Sequence, residues 1–493
     1  MNKNPSYSTL WPCDWKDCQE PAVQRAGDCP LCNRHLCRTH LGDKWHKCAK
    51  PEENWEDYAS QYVATEARQM DKLCRRIDTA KLCAHASRLR GGISCTVNLS
   101  AKELSSMMGG QNCHAEITFQ DDVKWLVRFR LANISSPPLE ARDYILQSEA
   151  ATMGFIQDHT SIPSPKIYDW ACESDPSNPL GQVGYILMEK MPGRPLDWQM
   201  ATPSQKEKIM QQLVDIFLEI EKHPFDAVGS IIVSNNSSSF EIRGIARHVT
   251  YYGGTEEPLG PFSSSLEAAR SVIKLYLAMI ASDEIDAAYP IDVYLVHRFR
   301  LELLDDIGKD ILSDGKFYLK HPDDKGDHIL VNEHFDVVGI RDWEWCQTVL
   351  KEDAFSSPCM MWPVAKFYDG SNQLTEEELR LATIFRERGR GDLANCVTEG
   401  RKLQRLFFAL GPDTGSHGDR KTLINLFMGL KRAFDPVKEE WEEWRTKALD
   451  RWKTTSCCKF CCGVMLDAWK LCFSNATYIL VFPVPMIGIT LMG

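Results

Sequence analysis

Apolar and polar positions alternate through HAEITF (114–119) and WLVRFRL (125–131), which read as strands. A helix is expected from about Ala141 to His159, ended by Ser161-Ile162-Pro163 and a second proline at 165. Another strand, GYILMEK (184–190), leads into the turn Met191-Pro192-Gly193-Arg194-Pro195. Longer helical patterns follow at 203–222 and 265–282, and among them sits one β insert, FYLKHPDDKGDHILVNEHFDVVGIRDWEW (317–345). Upstream, 52–90 is charged and amphipathic, with no proline or glycine until Gly91, and reads as one or two helices. Strands early, helices late and a strand-loop-strand element in the helical half predict an α+β chain with two lobes around a cleft. The expected division is a finger at 1–50, a helical linker at 51–90, an N-lobe at 91–195, a C-lobe at 196–452 and a tail at 453–493.

Composition narrows the function. The 493 residues carry a formal net charge of −11, which argues against bulk nucleic-acid binding, since that needs a basic surface. No N-terminal signal peptide is visible, so a cytoplasmic, reducing location is expected. The 19 cysteines are then metal ligands or free thiols first. Six fall between Cys13 and Cys48, and five between Cys457 and Cys472. The tail joins CCKFCC (457–462) to an apolar stretch interrupted by Pro483 and Pro485. Three readings stay open for it: a frayed terminus, a membrane contact beside palmitoylated cysteines, or paired thiols on a metal.

The spacing Cys13-x4-Cys18-x10-Cys29-x2-Cys32-x4-Cys37-x2-His40-x5-His46-x-Cys48 supplies eight soft or borderline ligands, enough for two tetrahedral zinc sites. So few large apolar residues cannot fold such a segment alone, and zinc supplies the deficit. The pattern resembles the AN-one type of zinc finger, found in stress-associated and ubiquitin-pathway proteins; Cys29 through Cys48 match at every step, and Cys13 and Cys18 stand four residues apart where the family has two. The resemblance implies one zinc on Cys13, Cys18, Cys37 and His40, and another on Cys29, Cys32, His46 and Cys48. It also implies a partner-binding module without catalysis, and leaves His35 as a surface residue.

Phosphoryl transfer needs amides and a cation around phosphates, carboxylates for Mg²⁺, and a carboxylate beside the acceptor hydroxyl. Gly109 and Gly110 precede the first strand where a phosphate-covering turn would lie, although a Gly-Gly pair alone is more often a hairpin. Arg128 on the next strand and Glu149 on the following helix form a candidate pair, which by itself reads equally as a surface ion pair. The insert is more specific: His321-x-Asp323, a loop, then Ile329-Leu330-Val331 and Gly339-Ile340-Arg341-Asp342-Trp343-Glu344. Two acids at the mouths of paired strands suit metal binding and proton acceptance.

That insert, with IPSPKIYDW (162–170) and ILMEKMPGRPL (186–196), resembles the aminoglycoside phosphotransferase (choline kinase-like) branch of the protein-kinase-like fold, in its fungal set, over roughly 91–450. The resemblance implies ATP and Mg²⁺ as cofactors, Asp323 as proton acceptor, Asp342 as metal ligand, Arg128 with Glu149 at the phosphates, and Glu189 in an adenine-facing hinge at 188–192. His328 stands where the family has a metal-binding Asn, and Arg128 where it has Lys. Trp362, in FSSPCMMWPVAKFYDG (355–370), is expected either in lobe packing or along the acceptor pocket. The implied function is phosphotransfer to a hydroxyl of a small molecule or protein, with a protein partner for the finger; the alternative is a pseudokinase adaptor.

Overall fold

A computed structural model describes residues 10–51, 53–234, 239–247, 258–285, 289–307, 315–407, 420–435 and 438–452. The tail and its cysteine cluster lie outside the described residues.

The finger carries a two-strand ladder, β1 (Asp28–Cys29) and β2 (Arg34–His35). Helices α1 (Trp55–Arg76) and α2 (Thr79–Leu89) follow, started by Asn54 and Asp78, whose side chains accept from the amides of Asp57 and Lys81. Next come β3 (Cys95–Val97), α3 (Ala101–Ser106), β4 (Asn112–Phe119), β5 (Lys124–Arg130), α4 (Leu139–His159), β6 (Ile167–Ala171) and β7 (Tyr185–Glu189). The five strands form one antiparallel sheet in the order β3-β4-β5-β7-β6.

The two-residue period of this sheet sorts its side chains. Trp125, Val127 and Phe129 join Ala115, Ile117, Tyr185 and Leu187 in one apolar cluster, which Met70 and Leu73 of α1 and Leu82 and Ala86 of α2 complete. The segment expected as a linker is therefore packed into the outer core of the first lobe. Leu126 and Arg128 point the other way, onto the cleft.

The chain crosses to the second lobe through β8 (Arg194–Pro195), which pairs with β12 (Ile329–Val331) of the insert. Gly193 makes the crossing possible: its φ is +91°, and a Cβ there would meet the Val331 carbonyl oxygen at 2.7 Å. Helix α5 (Pro203–Glu221) starts on a capping box between Thr202 and Gln205. The strands β9 (Ser230–Val233) and β10 (Phe240–Arg243) pair with each other. Helices α6 (Ser265–Ala281) and α7 (Pro290–Ile307) precede the insert, in which β11 (Phe317–Lys320) pairs with β14 (Gln347–Leu350) and β12 with β13 (Val337–Ile340). Helices from Lys351 to Trp452 finish the lobe around a second core that includes Leu295, Phe427 and Trp444. None of the described helices is long and apolar enough to cross a membrane.

The finger does not stand apart. Gln24 N donates to Glu284 O at 2.8 Å, Leu10 N to the Glu284 carboxylate at 3.3 Å, and Arg38 Nε reaches both Asp283 carboxylate oxygens at 2.8 Å. On its other side Asp28 and Pro30 share a small pocket with Tyr58 and Tyr62 of α1 and with Ile134. The finger thus touches both lobes.

Candidate functional site

Between the sheet and the helical lobe lies a cavity of ≈ 640 Å³. Every cleft residue read from the sequence lines it: Gly109, Gly110, Arg128, Glu149, Glu189, Asp323, His328 and Asp342. The glycine turn closes through Gly109 N donating to Asn112 O at 2.7 Å, and the Glu189 amide is committed to Lys166 O at 2.8 Å.

Strand β5 aims Arg128 inward, where three carboxylates meet it. Its guanidinium pairs with the buried Glu149 of α4, approaches Glu344 at 3.3 Å and Asp342 at 3.4 Å. Arg130, two residues along the same face, pairs with Glu344, which also accepts from Asn112 at 2.7 Å. Burial pushes the Glu149 carboxyl up to about 8; Arg128 opposes this, and Glu344 and Asp342 add to it. Of the three carboxyl groups only Asp342, with its side chain 53% exposed, is open to solvent in the cleft.

Removing the shared cation is expected to be costly. Arg128→Met leaves Glu149 without a cation in a dry site, while Glu344 keeps Arg130, and should lower the unfolding free energy by about 3–5 kcal/mol in urea titration. A loss below about 1 kcal/mol would show that the cluster is wetter than the geometry indicates.

The insert places the remaining groups. His321 sits beneath the loop, its Nε2 3.0 Å from Arg341 O and its Nδ1 accepting from the Asp323 amide at 3.2 Å. Asp323 itself pairs with Lys325 at 3.0 Å. Burial raises its carboxyl pKa, and Lys325 opposes the rise. Asp342 has φ +66°, a left-handed conformation rarely adopted by a residue with a Cβ, and a strained backbone of this kind clusters at functional sites. His328 is buried, stacks on His321 at a centroid distance of 4.3 Å, and is held neutral by burial.

In the finger two groups of four ligand atoms form, each with all atoms within 4.8 Å of one another: Cys13, Cys18, Cys37 and His40, and Cys29, Cys32, His46 and Cys48. These are the cross-braced sets that the resemblance implies, and the donor chemistry suits zinc. Burial and the adjacent Cys29 and Cys48 thiols push Cys32 up to about 12, a crowding that a cation would reverse. His35 belongs to neither set. It is buried rather than on the surface, with Nδ1 2.7 Å from Asp28 and its ring stacked on Trp11.

Two features were not anticipated, and Trp362 follows the packing reading rather than the acceptor-pocket one. Glu344 anchors both arginines, and its signal was the pair Arg128 and Arg130 on one face of a strand, which needs buried acids. His114 lies beside Arg128 in the β4–β5 register, lines the cavity, and is pushed down to about 4 by burial. Trp362 belongs to the second-lobe core, where its Nε1 donates to Ser357 O at 2.9 Å; it does not line the cleft.

The architecture is an α+β, two-lobed fold preceded by a Cys/His-rich finger. No family model matches the chain. A subtelomeric hrmA-associated cluster protein of Aspergillus fumigatus is 32% identical over 103 residues, which span 20% of this chain and 20% of that relative. Among solved structures, an ethanolamine kinase of Plasmodium vivax is 12% identical, with a TM-score of 0.39 over 67% of this chain and 81% of its own. A macrolide 2'-phosphotransferase of Brachybacterium faecium is 14% identical, with a TM-score of 0.33 over 73% and 99%. A spectinomycin phosphotransferase, solved with ADP and spectinomycin, is 15% identical, with a TM-score of 0.30 over 73% and 95%.

Proposed function

We propose that the chain is a phosphotransferase that passes a phosphoryl group from ATP, held with a divalent cation for which Mg²⁺ is the sequence expectation, to a hydroxyl of a small molecule or protein. One observation supports this above others: the glycine turn, the Arg128–Glu149 pair, Asp323 and Asp342 all face one cavity. In this reading Asp323 accepts the acceptor's proton, a role its raised pKa suits. Asp342, exposed in the cleft beside Arg128, holds the cation, and Asp327 and His328 stand near enough in the lining to contribute. A bound cation would neutralise charge on the phosphates. The finger, with two zinc ions, serves a protein partner. A cytoplasmic setting suits thiol ligands.

A second reading, a pseudokinase adaptor, draws on two observations: Arg128 is already held by three carboxylates, and His328 replaces an oxygen donor. Thermal shift on the full chain separates the two. Stabilisation by ATP that requires a divalent cation and disappears in Asp342→Ala is the expected result. No shift, or one indifferent to cation and to Asp342, would favour the adaptor.

A further inference from the structure

His328 raises a question that its surroundings answer in part. Its side chain is only 8% exposed, and its Nδ1 is buried with no hydrogen-bond partner among the described residues. Stacking on His321 fixes the ring, and its carbonyl oxygen accepts from Arg341 N at 2.9 Å, which fixes the backbone. The residue lines the cleft, whose wall also includes Asp323, Asp327 and Asp342. A rigid, buried imidazole nitrogen with no hydrogen-bond partner among the described residues calls for a ligand.

Mg²⁺ is a poor match for that donor, because it demands oxygen ligands in strict octahedral geometry and gives up water reluctantly. First-row transition-metal dications accept imidazole alongside carboxylates. We propose that the cation held with the nucleotide in this cleft is a first-row transition-metal dication ligated by His328, in preference to Mg²⁺. This rests on the phosphotransferase reading only in requiring that the cleft bind a nucleotide with a cation.

Mn²⁺ is the probe, because it reports its own ligands. The full chain is titrated with ADP in the presence of Mn²⁺ or of Mg²⁺, and the Mn²⁺–ADP complex is studied by pulsed electron paramagnetic resonance. The expected result is ADP binding roughly tenfold tighter with Mn²⁺ than with Mg²⁺, together with a nitrogen modulation of the Mn²⁺ echo. His328→Asn, which restores an oxygen donor, should remove that modulation and erase the preference. Nitrogen coupling from the adenine would survive His328→Asn, so its persistence overturns the assignment. Equal affinity with both cations overturns the proposal and leaves the nucleotide site standing. Failure of ADP to bind with either cation overturns both.

Discussion

Asp323→Asn is expected to slow phosphoryl transfer by about 10²- to 10⁴-fold while leaving cation-dependent nucleotide binding intact. The substitution keeps the side chain's shape and its place in the cavity, where the amide of Asp323 is already held by His321 at 3.2 Å. It removes only the lone pair that takes the acceptor's proton. The ion pair with Lys325 is also lost, but Lys325 is exposed and Asp323 partly so, and its contribution to stability is small. The pH profile supplies a second readout. A base must be ionised to work, so activity should rise with pH through the Asp323 pKa, which burial raises against the opposing Lys325 charge. Asp323→Asn should abolish that acid limb. If instead turnover falls less than tenfold with the limb unchanged, Asp323 is not the proton acceptor.

The second large effect concerns the finger. Its apolar core is little more than Cys13, Leu36 and Cys37, with Trp15 and Leu41 against them. Such a core cannot hold a forty-residue segment, and apparent zinc binding of roughly 10–16 kcal/mol per structural site can. The purified chain should carry two zinc ions, falling to one in Cys37→Ser and in Cys32→Ser separately. Full chelation should expose the segment before residue 50 to protease while the lobes stay protected. A metal-free chain whose finger resists protease as well as the loaded one would refute the metal's structural role. Losing both ions together from either single variant would show that the two sites fold as one unit.

Much of this was readable in advance where local pattern decides structure. The strand expected at 114–119 lies inside Asn112–Phe119, the one at 125–131 overlaps Lys124–Arg130 with each end shifted by one residue, and the helix expected from Ala141 to His159 spans Leu139–His159. The cleft residues of the insert sit in short motifs at or just beyond strand ends, whereas Arg128 lies within a strand and Glu149 within a helix. What pattern could not show was the far side of each contact. The run 52–90 gave helices, yet only the folded sheet shows that Met70, Leu73 and Leu82 complete its outer core. Glu344 sits 214 residues from Arg130 in the chain, and no local spacing announces that pair. His35 looked like a remainder because ligand counting ignores Trp11 and Asp28, which bury it.

The docking of the finger on Asp283 and Glu284 sets a thermodynamic constraint on whatever the finger recognises. A partner that needs the face around Arg38 and Gln24 competes with the chain's own second lobe. Its affinity for the whole protein must then fall below its affinity for the excised finger by the docking equilibrium constant. By reciprocity, a ligand in the cleft that tightens the lobes against the finger would weaken that partner by the same factor that the partner weakens the ligand.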